Sequence, residues 1–321
     1  MIEQLKTLSE VVDVVATFGA PNVRYLLKSS IEEDSMILYR GSTNECKVLV
    51  PFNAKKIVEH IVPKNCVIVY YSYDTINSYG YVLGRNFRDI ALSVIKSFTK
   101  QGEDIGIPLL YIDASLYSIL VKYWRIKDIT KDIRIIRSKK NDEDLNTLIN
   151  IHNSVKQLLN YYMSEVHNLL NCLSSQLYPK RYGIYLETLS KLDNLITLRL
   201  LIKKDILIVS YRWSLPLSKE AEDIITRINN TIESKSRNFY SRKCADLIKN
   251  IRIQLHNQGI KVSVNICGIG TEECEYPTTY ECIYEDAVLN DGMSLKIEVV
   301  VNENMYIPKI FVIKGKKIEV Y

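Results

Sequence analysis

The sequence lacks most of the patterns that assign a chemistry to a chain on inspection. It has no G-x-S-x-G elbow, no phosphate-binding glycine loop, no dinucleotide fingerprint and no H-E-x-x-H, and it holds only 4 histidines. No apolar run approaches the roughly 18 residues of a membrane helix, so we expect no membrane partner. The first residues include an acid and form no basic leader, so we expect a cytoplasmic protein without a secretory signal.

An excess of one charge is also missing. The 42 basic and 37 acidic residues leave a formal net charge of +5 over 321 residues, which is too weak to predict a nucleic-acid partner. The contents of hydrophobic residues (47%) and charged residues (25%) are those of an ordinary globular chain. Because domains commonly hold about 100–200 residues, this length predicts two of them.

The cysteines form no recognisable framework. There are 7 of them, an odd number, and none forms a C-x-x-C pair. We therefore predict free buried thiols rather than disulfides or a zinc ribbon. Two alternatives stay open: disulfides if the source is a hyperthermophile, and a soft-metal site built from three cysteines and a histidine. The cysteines in question for that metal site are Cys267, Cys274 and Cys282.

The first part of the chain alternates helical and strand patterns. Apolar spacings of three and four predict a first helix from Ile2 to about Phe18. Strands are predicted at 23–27, 35–40, 46–50 and 66–71, and helices at 54–61, 88–98 and 114–123. This order predicts a three-layer α/β unit.

A different pattern follows residue 140. Asn141 with three acids predicts the capped start of a long helix. Strands are then predicted at 183–187, 195–202 and 206–211, followed by helices at 218–233 and 242–257 and strands from Lys261 to the end.

Two segments in the last third carry the most specific pattern. Cys267–Pro277 reads C-G-I-G-T-E-E-C-E-Y-P, and Leu289–Glu298 reads L-N-D-G-M-S-L-K-I-E. They resemble the H-G-x-G-x-x-x-H-E-x-P and L-x-x-G-M-x-x-x-I-E signatures of the metal-dependent Xaa-Pro peptidases, prolidases and creatinases. Asn22–Leu26 (N-V-R-Y-L) is similar to the opening of the creatinase N-terminal domain, and Asp132–Lys140 is similar to the segment that crosses into the second domain.

The resemblance implies a fold and an assembly. We expect an α/β N-terminal creatinase-like domain over residues 1–130, with a mixed sheet and flanking helices. Residues 131–321 are expected to form an α+β pita-bread domain. Members of the family commonly dimerise, so a homodimer is expected as well.

The resemblance also implies a site whose chemistry is missing. The family holds two metal ions with two hairpin aspartates, the first motif histidine and two glutamates, and the metals activate a water molecule. Cys267 and Cys274 occupy the two histidine positions here, and only Glu298 remains as a metal ligand. No acid occurs from Tyr306 to Val312, where the final glutamate is expected.

The hairpin positions are equally unsuited to metal. Aligning hairpin on hairpin puts Thr197 or Leu198 at the first aspartate and Val209 or a neighbour at the second. Asp193 and Asp205 have a similar separation, but Asp205 then falls in the predicted turn.

Plainer interpretations of these residues stay open. Strand alternation puts Lys296 and Glu298 on one face, where Glu298 is either a pocket residue or an exposed glutamate beside a lysine. Gly268 and Gly270 need only permit a tight backbone path. Cysteines at such positions are more often inert buried thiols than ligands.

Our leading hypothesis is an Xaa-Pro dipeptidase-like protein that has lost hydrolysis and acts as a peptide- or protein-binding scaffold, with no cofactor and no assigned catalytic residue. The alternative is a divergent Xaa-Pro dipeptidase holding one Co, Mn or Zn ion through Cys267, Glu298 and either Asp193 or Asp205. A third hypothesis is a filled pocket in which Lys309 pairs with Glu298. The candidate pocket residues are Cys267, Gly268, Gly270, Cys274, Glu275, Glu298 and Lys309.

Overall fold

The computed structural model describes residues 1–29, 31, 34–72, 82–83, 86–163, 183–192, 195–204, 207–237, 239, 242–270, 274–315 and 317–321; it gives no side-chain detail for 82–83, 158–163, 183–192 and 203–204. The chain divides into two compact units, Met1–Ile136 and Arg137–Tyr321. The boundary expected at residue 130 coincides with the start of the helix Thr130–Ser138, which spans this division. Within the described part of the chain, no helix combines the length and apolar character needed to cross a membrane.

The N-terminal unit is built on one mixed sheet. Its strands are β1 (Val14–Phe18), β2 (Met36–Arg40), β3 (Glu45–Pro51), β4 (Cys66–Ser72), β5 (Val82–Leu83), β6 (Asp104–Ile107) and β7 (Arg125–Asp128). Its helices are α1 (Ile2–Ser9), α2 (Ala20–Leu27), α3 (Lys55–Ile61), α4 (Phe87–Phe98), α5 (Ala114–Leu120) and α6 (Thr130–Ser138). The strand order is β5-β4-β3-β2-β1-β6-β7, with β2 antiparallel to both β1 and β3 and the other pairs parallel.

Two apolar clusters cover the faces of this sheet. One contains side chains of α1, α2, α3 and α6, and the other contains side chains of α4 and α5. Val15 belongs to the first cluster and Ala16 to the second, as alternation along a strand requires. The predicted three-layer α/β architecture is therefore confirmed.

Two predicted elements of this unit are wrong. The first helix ends at Ser9, and Val14–Phe18 is a strand buried at every position. A continuous apolar run suits a central strand with helices on both faces, and helical spacing can occur in it by coincidence. Val23–Leu27, predicted as a strand, lies in α2, because Gly19 at φ 86° and Pro21 near the first turn start a helix there.

The C-terminal unit follows the predicted order as far as Gly268, but the short helix Thr279–Tyr284 interrupts the strands predicted from Lys261 to the end. Its helices are α7 (Asp142–Met163), α8 (Lys219–Ser236), α9 (Cys244–Asn257) and α10 (Thr279–Tyr284). Its strands are β8 (Gly183–Leu192), β9 (Leu195–Lys204), β10 (Leu207–Pro216), β11 (Val262–Gly268), β12 (Glu275–Thr278), β13 (Ser294–Val301), β14 (Met305–Lys314) and β15 (Lys317–Val320). The predicted cap is present, since the Asp144 amide donates to Asn141 Oδ1 at 2.7 Å.

Two antiparallel sheets organise this unit. One has the order β10-β9-β8, and the other has the order β12-β11-β13-β14-β15. An apolar cluster of α7, β9, β10 and β14 side chains forms the core. The predicted α+β class of this half is confirmed.

The cysteines differ from the prediction. Six of the 7 are paired in disulfides, and Cys172 lies outside the described residues. The pairs are Cys46–Cys66, Cys244–Cys282 and Cys267–Cys274, at sequence separations of 20, 38 and 7 residues. Spacing did not reveal the two longer pairs because they meet only when β3 packs on β4 and α9 on α10. A disulfide sulfur supplies no thiolate ligand, so the soft-metal site is not formed.

His152 on α7 is a core histidine rather than a site residue. It is 1% exposed, and its ring stacks on Trp213 with centroids 5.8 Å apart. Burial, with repulsion from Lys309 and Lys156, lowers the pKa of His152 to about 4 from its ordinary 6.5. The folded C-terminal unit therefore holds this imidazole neutral.

This shift predicts a loss of stability in acid. Between pH 6.5 and about 4 the unfolded chain binds a proton at His152 that the folded chain does not bind. The free energy of unfolding should thus fall by about 3 kcal/mol as the pH decreases through this window. In His152→Phe the free energy of unfolding should not fall by this amount on acidification. His60→Gln, at an exposed position of α3, is the matched histidine control and should behave as wild type. Urea unfolding at pH 7 and pH 4 measures the change in the free energy of unfolding. An identical change in wild type and His152→Phe would contradict a buried, neutral His152.

Candidate functional site

A cavity of about 500 Å³ lies in the C-terminal unit. Side chains of both sheets and the start of α10 line it. The lining residues are Arg199, Ser210, Arg212, Asn265, Ile266, Cys267, Cys274, Thr278, Thr279, Tyr280, Lys296 and Glu298. Of the candidate residues from the sequence, Cys267, Cys274 and Glu298 line this pocket.

Strand geometry brings the two motifs together. Strand β11 pairs with β13 so that Asn265 lies opposite Glu298 and Cys267 lies opposite Lys296. Gly292 at φ 80° makes the turn that starts β13, which explains the glycine of the second motif. Glu298 is 1% exposed, so the alternative of an ordinary surface glutamate is wrong.

The Glu298 carboxylate is held by protein cations. The Arg212 Nε atom lies 3.2 Å from Glu298 Oε2, and Arg212 Nη2 bonds Oε1, which gives a two-point fork. Lys296 Nζ lies 4.0 Å from the same carboxylate and donates to the Ser210 carbonyl at 2.8 Å. The Arg212 guanidinium also lies over the Tyr306 ring at 4.6 Å. Glu298, the one residue that matches a metal ligand of the family motif, is therefore already paired with a protein cation.

The hairpin presents different residues from those predicted. Leu198 and Val209 lie in the apolar core with α7 and are 0% and 1% exposed. Arg199 and Ser210, one residue further along each strand, line the pocket. Of the predicted alternatives, Leu198 and Val209 therefore lie on the core face, whereas Ser210, a neighbour of Val209, lies on the pocket face.

Thr197, the other predicted position for the first hairpin aspartate, is hydrogen-bonded within the protein. Thr197 Oγ1 lies 2.8 Å from Ser214 Oγ and 3.0 Å from the Asn304 carbonyl. Asp193 and Asp205 lie outside the described residues. Within the described ranges, no group of three His, Cys, Asp or Glu side chains is arranged to hold a metal ion.

Positive charge dominates the pocket. Arg199, Arg212 and Lys296 are its cations, and Glu298 is its one carboxylate, a surplus of two positive charges among the described lining residues. Cys267 and Cys274 are joined as a disulfide and add no charge.

Glu275 belongs to a separate buried cluster. Its carboxylate lies 3.0 Å from Arg137 Nη2 and 3.0 Å from Lys140 Nζ, and all three side chains are at most 1% exposed. Burial lowers the pKa of Lys140, and the carboxylate of Glu275 opposes that shift. Glu275, proposed as a pocket residue, therefore lies in an internal ion cluster that connects β12 with the start of the C-terminal unit.

The two motif glycines permit close packing. A Cβ atom at Gly270 would collide with the Glu275 carboxylate, and one at Gly268 would collide with the Tyr276 carbonyl. The plainer interpretation of these glycines is therefore the correct one. They allow β12 and its buried acid to approach β11.

The predicted pair of Lys309 and Glu298 is wrong. Lys309 Nζ lies 3.1 Å from Glu233 Oε1 of α8. In the β13 and β14 pairing Lys309 is opposite Ile297, whereas Glu298 is opposite Pro308, so the two side chains leave opposite faces of the sheet. Arg212 takes the role that was assigned to Lys309.

Sequence reasoning overlooked Arg199, Arg212 and Lys296 as site residues. One signal was available, because Arg199 and Arg212 lie directly opposite each other in the hairpin. Like charges at such a position repel, so a pair of this kind indicates a nearby acid or an anionic ligand.

Several solved structures share this fold. No protein-family model matches the sequence, and no curated protein is detectably similar to it in sequence. The prolidase of Pyrococcus horikoshii matches over 99% of this chain and 96% of its own, with 12% identity and a TM-score of 0.75. The prolidase of Pyrococcus furiosus matches over 100% and 98%, with 13% identity and a TM-score of 0.74.

A third solved structure shares the fold over nearly the whole chain. The Xaa-Pro dipeptidase of Bacillus anthracis matches over 99% of this chain and 96% of its own, with 12% identity and a TM-score of 0.69. At such identity the likeness concerns the fold, and it confirms the resemblance carried by the two motifs. The chain has the two-part fold of the prolidases and Xaa-Pro dipeptidases, with an α/β N-terminal unit and a pita-bread C-terminal unit.

Proposed function

We propose that this protein is a non-hydrolytic binding protein built on the prolidase fold, and that the pocket beside Glu298 recognises a peptide or protein ligand without cleaving it. The observation that carries the proposal is the two-point ion pair of Arg212 with Glu298. In the enzymes that the motifs resemble, the glutamate at this position binds a metal ion. Here the carboxylate of Glu298 binds the guanidinium of Arg212 instead.

Electrostatics supports the loss of metal. Two unit charges about 4 Å apart interact by about 4 kcal/mol at an intermediate dielectric, and a divalent ion doubles this figure. A metal beside Glu298 would displace Arg212 and be repelled by Lys296, and Glu298 is the one carboxylate among the described lining residues. Water activation by two metals needs carboxylates that bridge them.

The alternative of a single-metal dipeptidase finds less support. Cys267, which it uses as a ligand, is joined to Cys274 and offers no thiolate. Glu298, its second ligand, is already paired with a cation. Asp193 and Asp205 lie outside the described residues and carry no argument in either direction.

Metal content and turnover test the proposal together. Purified protein is incubated with Co, Mn or Zn, desalted, assayed for bound metal and supplied with an Xaa-Pro dipeptide, with and without a thiol reductant. We expect no stoichiometric metal and no hydrolysis, and calorimetry should detect saturable dipeptide binding without product. Bound metal with turnover that Glu298→Gln abolishes would overturn the proposal. Glu220→Gln, at an exposed position of α8, is the matched control for that substitution.

A further inference from the structure

We infer that a second surface of the C-terminal unit binds an acidic peptide segment of a partner protein. The surface is a groove of about 710 Å³ formed by α9, α10 and the start of β11, and it is called the basic groove below. It shares no lining residue with the pocket beside Glu298. The inference therefore goes beyond the proposed function and does not depend on it.

The short helix α10 leaves one side of α9 uncovered. The apolar face of α9 packs inward through the fully buried Ile251 and Leu255, and the disulfide of Cys244 and Cys282 joins the first residue of α9 to α10. Helix α10 ends after six residues. Side chains of α9 from Ala245 to His256 consequently form one wall of the basic groove.

Aliphatic side chains line much of the basic groove. Ile248, Ile260 and Val262 lie in it, together with two isoleucines that are far from buried. Ile253 is 49% exposed and Ile283 is 47% exposed. Covering such side chains with an apolar ligand removes them from water, and this favours binding.

Cations without an internal partner surround this apolar surface. Lys249, Arg252 and Lys261 are exposed, and their side chains form no ion pair or hydrogen bond within the described part of the chain. Asp246, the one acid of α9, does not line the groove and instead raises the pKa of Lys243 by its charge. No acid occurs among the described lining residues. The groove is therefore complementary to an acidic partner.

The edge of β11 beside the basic groove offers main-chain groups. Strand β12 pairs with β11 at Cys267 and Gly268 but does not reach Val262. The N–H of Ile266 donates to Thr279 Oγ1 at 2.8 Å, on the side away from β13, and alternation directs the N–H and C=O of Val262 to that same side. Neither group is bonded to another described residue. Groups of this kind pair with the backbone of an added peptide strand.

The lining favours a peptide over the other classes of acidic partner. Grooves that bind single-stranded nucleic acid stack bases on aromatic rings, and no Phe, Tyr or Trp occurs among the described lining residues. A membrane surface contacts protruding apolar side chains, whereas these line a concave groove. The occupant is a peptide in which acidic and apolar side chains alternate, so that both kinds of side chain in the groove are matched.

Fluorescence anisotropy at low salt tests this inference. The probe is a labelled peptide of about ten residues in which glutamate alternates with leucine, an extended ligand of the kind that adds to a sheet edge. The control probe has glutamine in place of each glutamate. Wild type should bind the glutamate probe saturably and about 10-fold more tightly than the glutamine probe, and this difference should shrink as salt is added.

Two variants separate the charge of the groove from its apolar surface. Arg252→Glu should weaken binding of the glutamate probe by about 10-fold, because an attraction becomes a repulsion. Ile283→Ser should weaken it by about 5-fold, because less apolar surface is covered. The matched controls are Arg227→Glu on α8 and Ile57→Ser on α3, which should leave binding unchanged. All four positions are exposed, and thermal melts establish that each variant is folded.

Several outcomes would overturn the inference. One is the absence of saturable binding, and another is an equal loss in Arg252→Glu and Arg227→Glu. Displacement of the probe by an excess of Xaa-Pro dipeptide would place it in the pocket beside Glu298 instead. Binding of single-stranded DNA or of anionic phospholipid vesicles that is tighter than peptide binding, and that Arg252→Glu weakens, would assign the groove to that other class of partner. None of these results alters the metal content or turnover by which the proposed function is tested.

Discussion

Glu275→Gln is expected to lower the free energy of unfolding of the C-terminal unit by about 3–5 kcal/mol, the usual cost of breaking a buried ion cluster from one side. The carboxylate bonds both Arg137 and Lys140 at 3.0 Å, and the three side chains are almost fully buried. Glutamine keeps the shape of glutamate but removes the charge. Two buried cations then face each other without their shared counter-ion.

The companion variant separates charge from packing. Replacing Arg137 and Lys140 by methionine together with Glu275→Gln removes both cations as well as the acid, and it should recover most of the lost stability. Gly270→Ala should destabilise through the same cluster, because its Cβ would collide with the Glu275 carboxylate. These two results would identify the cluster as the reason for the second glycine of the first motif.

Chemical denaturation of each variant provides the measurement. Glu220→Gln, on the exposed part of α8, should change stability by less than about 1 kcal/mol. A Glu275→Gln protein as stable as wild type would mean that the cluster contributes nothing.

Motif spacing predicted the fold of this chain well. Gly268 and Gly270 match the motif because a Cβ atom at either would collide with the neighbouring chain, and Gly292 matches it because it adopts φ 80° at a turn. These requirements remain when the chemistry of a site changes. Cys267 and Cys274, at positions where the similar motif has histidine, are compatible with the same backbone.

Side-chain partners were much harder to predict. Alternation correctly placed Lys296 and Glu298 on one strand face, because period two is local. The partner of Glu298 is Arg212, which lies 86 residues earlier, and its position depends on the register of a hairpin in another sheet. Local sequence contains no measure of that register, so the prediction left Thr197 and Leu198 as alternatives and did not identify Arg199.

The disulfides depended on packing in the same way. Cys244 and Cys282 are separated by 38 residues and meet because α9 lies beside α10. Both are 0% exposed, so their burial alone agreed with the predicted free thiols. Burial does not distinguish a thiol from half of a disulfide.

Removing the bridge of Cys244 and Cys282 should lower the free energy of unfolding by about 4 kcal/mol. Closing a long loop restricts the unfolded chain, and the restriction grows slowly with loop length. On the same basis we expect about 3 kcal/mol for the 20-residue separation of Cys46 and Cys66 and about 2 kcal/mol for the 7-residue separation of Cys267 and Cys274. Three double Cys→Ala variants, one for each bridge, test this order.

The measurement begins with the thiols themselves. Denatured protein without reductant should expose one reactive thiol of the 7 cysteines, since six are paired. Seven reactive thiols at this stage would contradict the disulfides outright. Urea unfolding of wild type in reductant should then resemble that of the variants, with the variant lacking Cys244 and Cys282 the least stable. If that variant is as stable as the oxidised wild type, packing of α9 on α10 holds this part of the unit without the bridge.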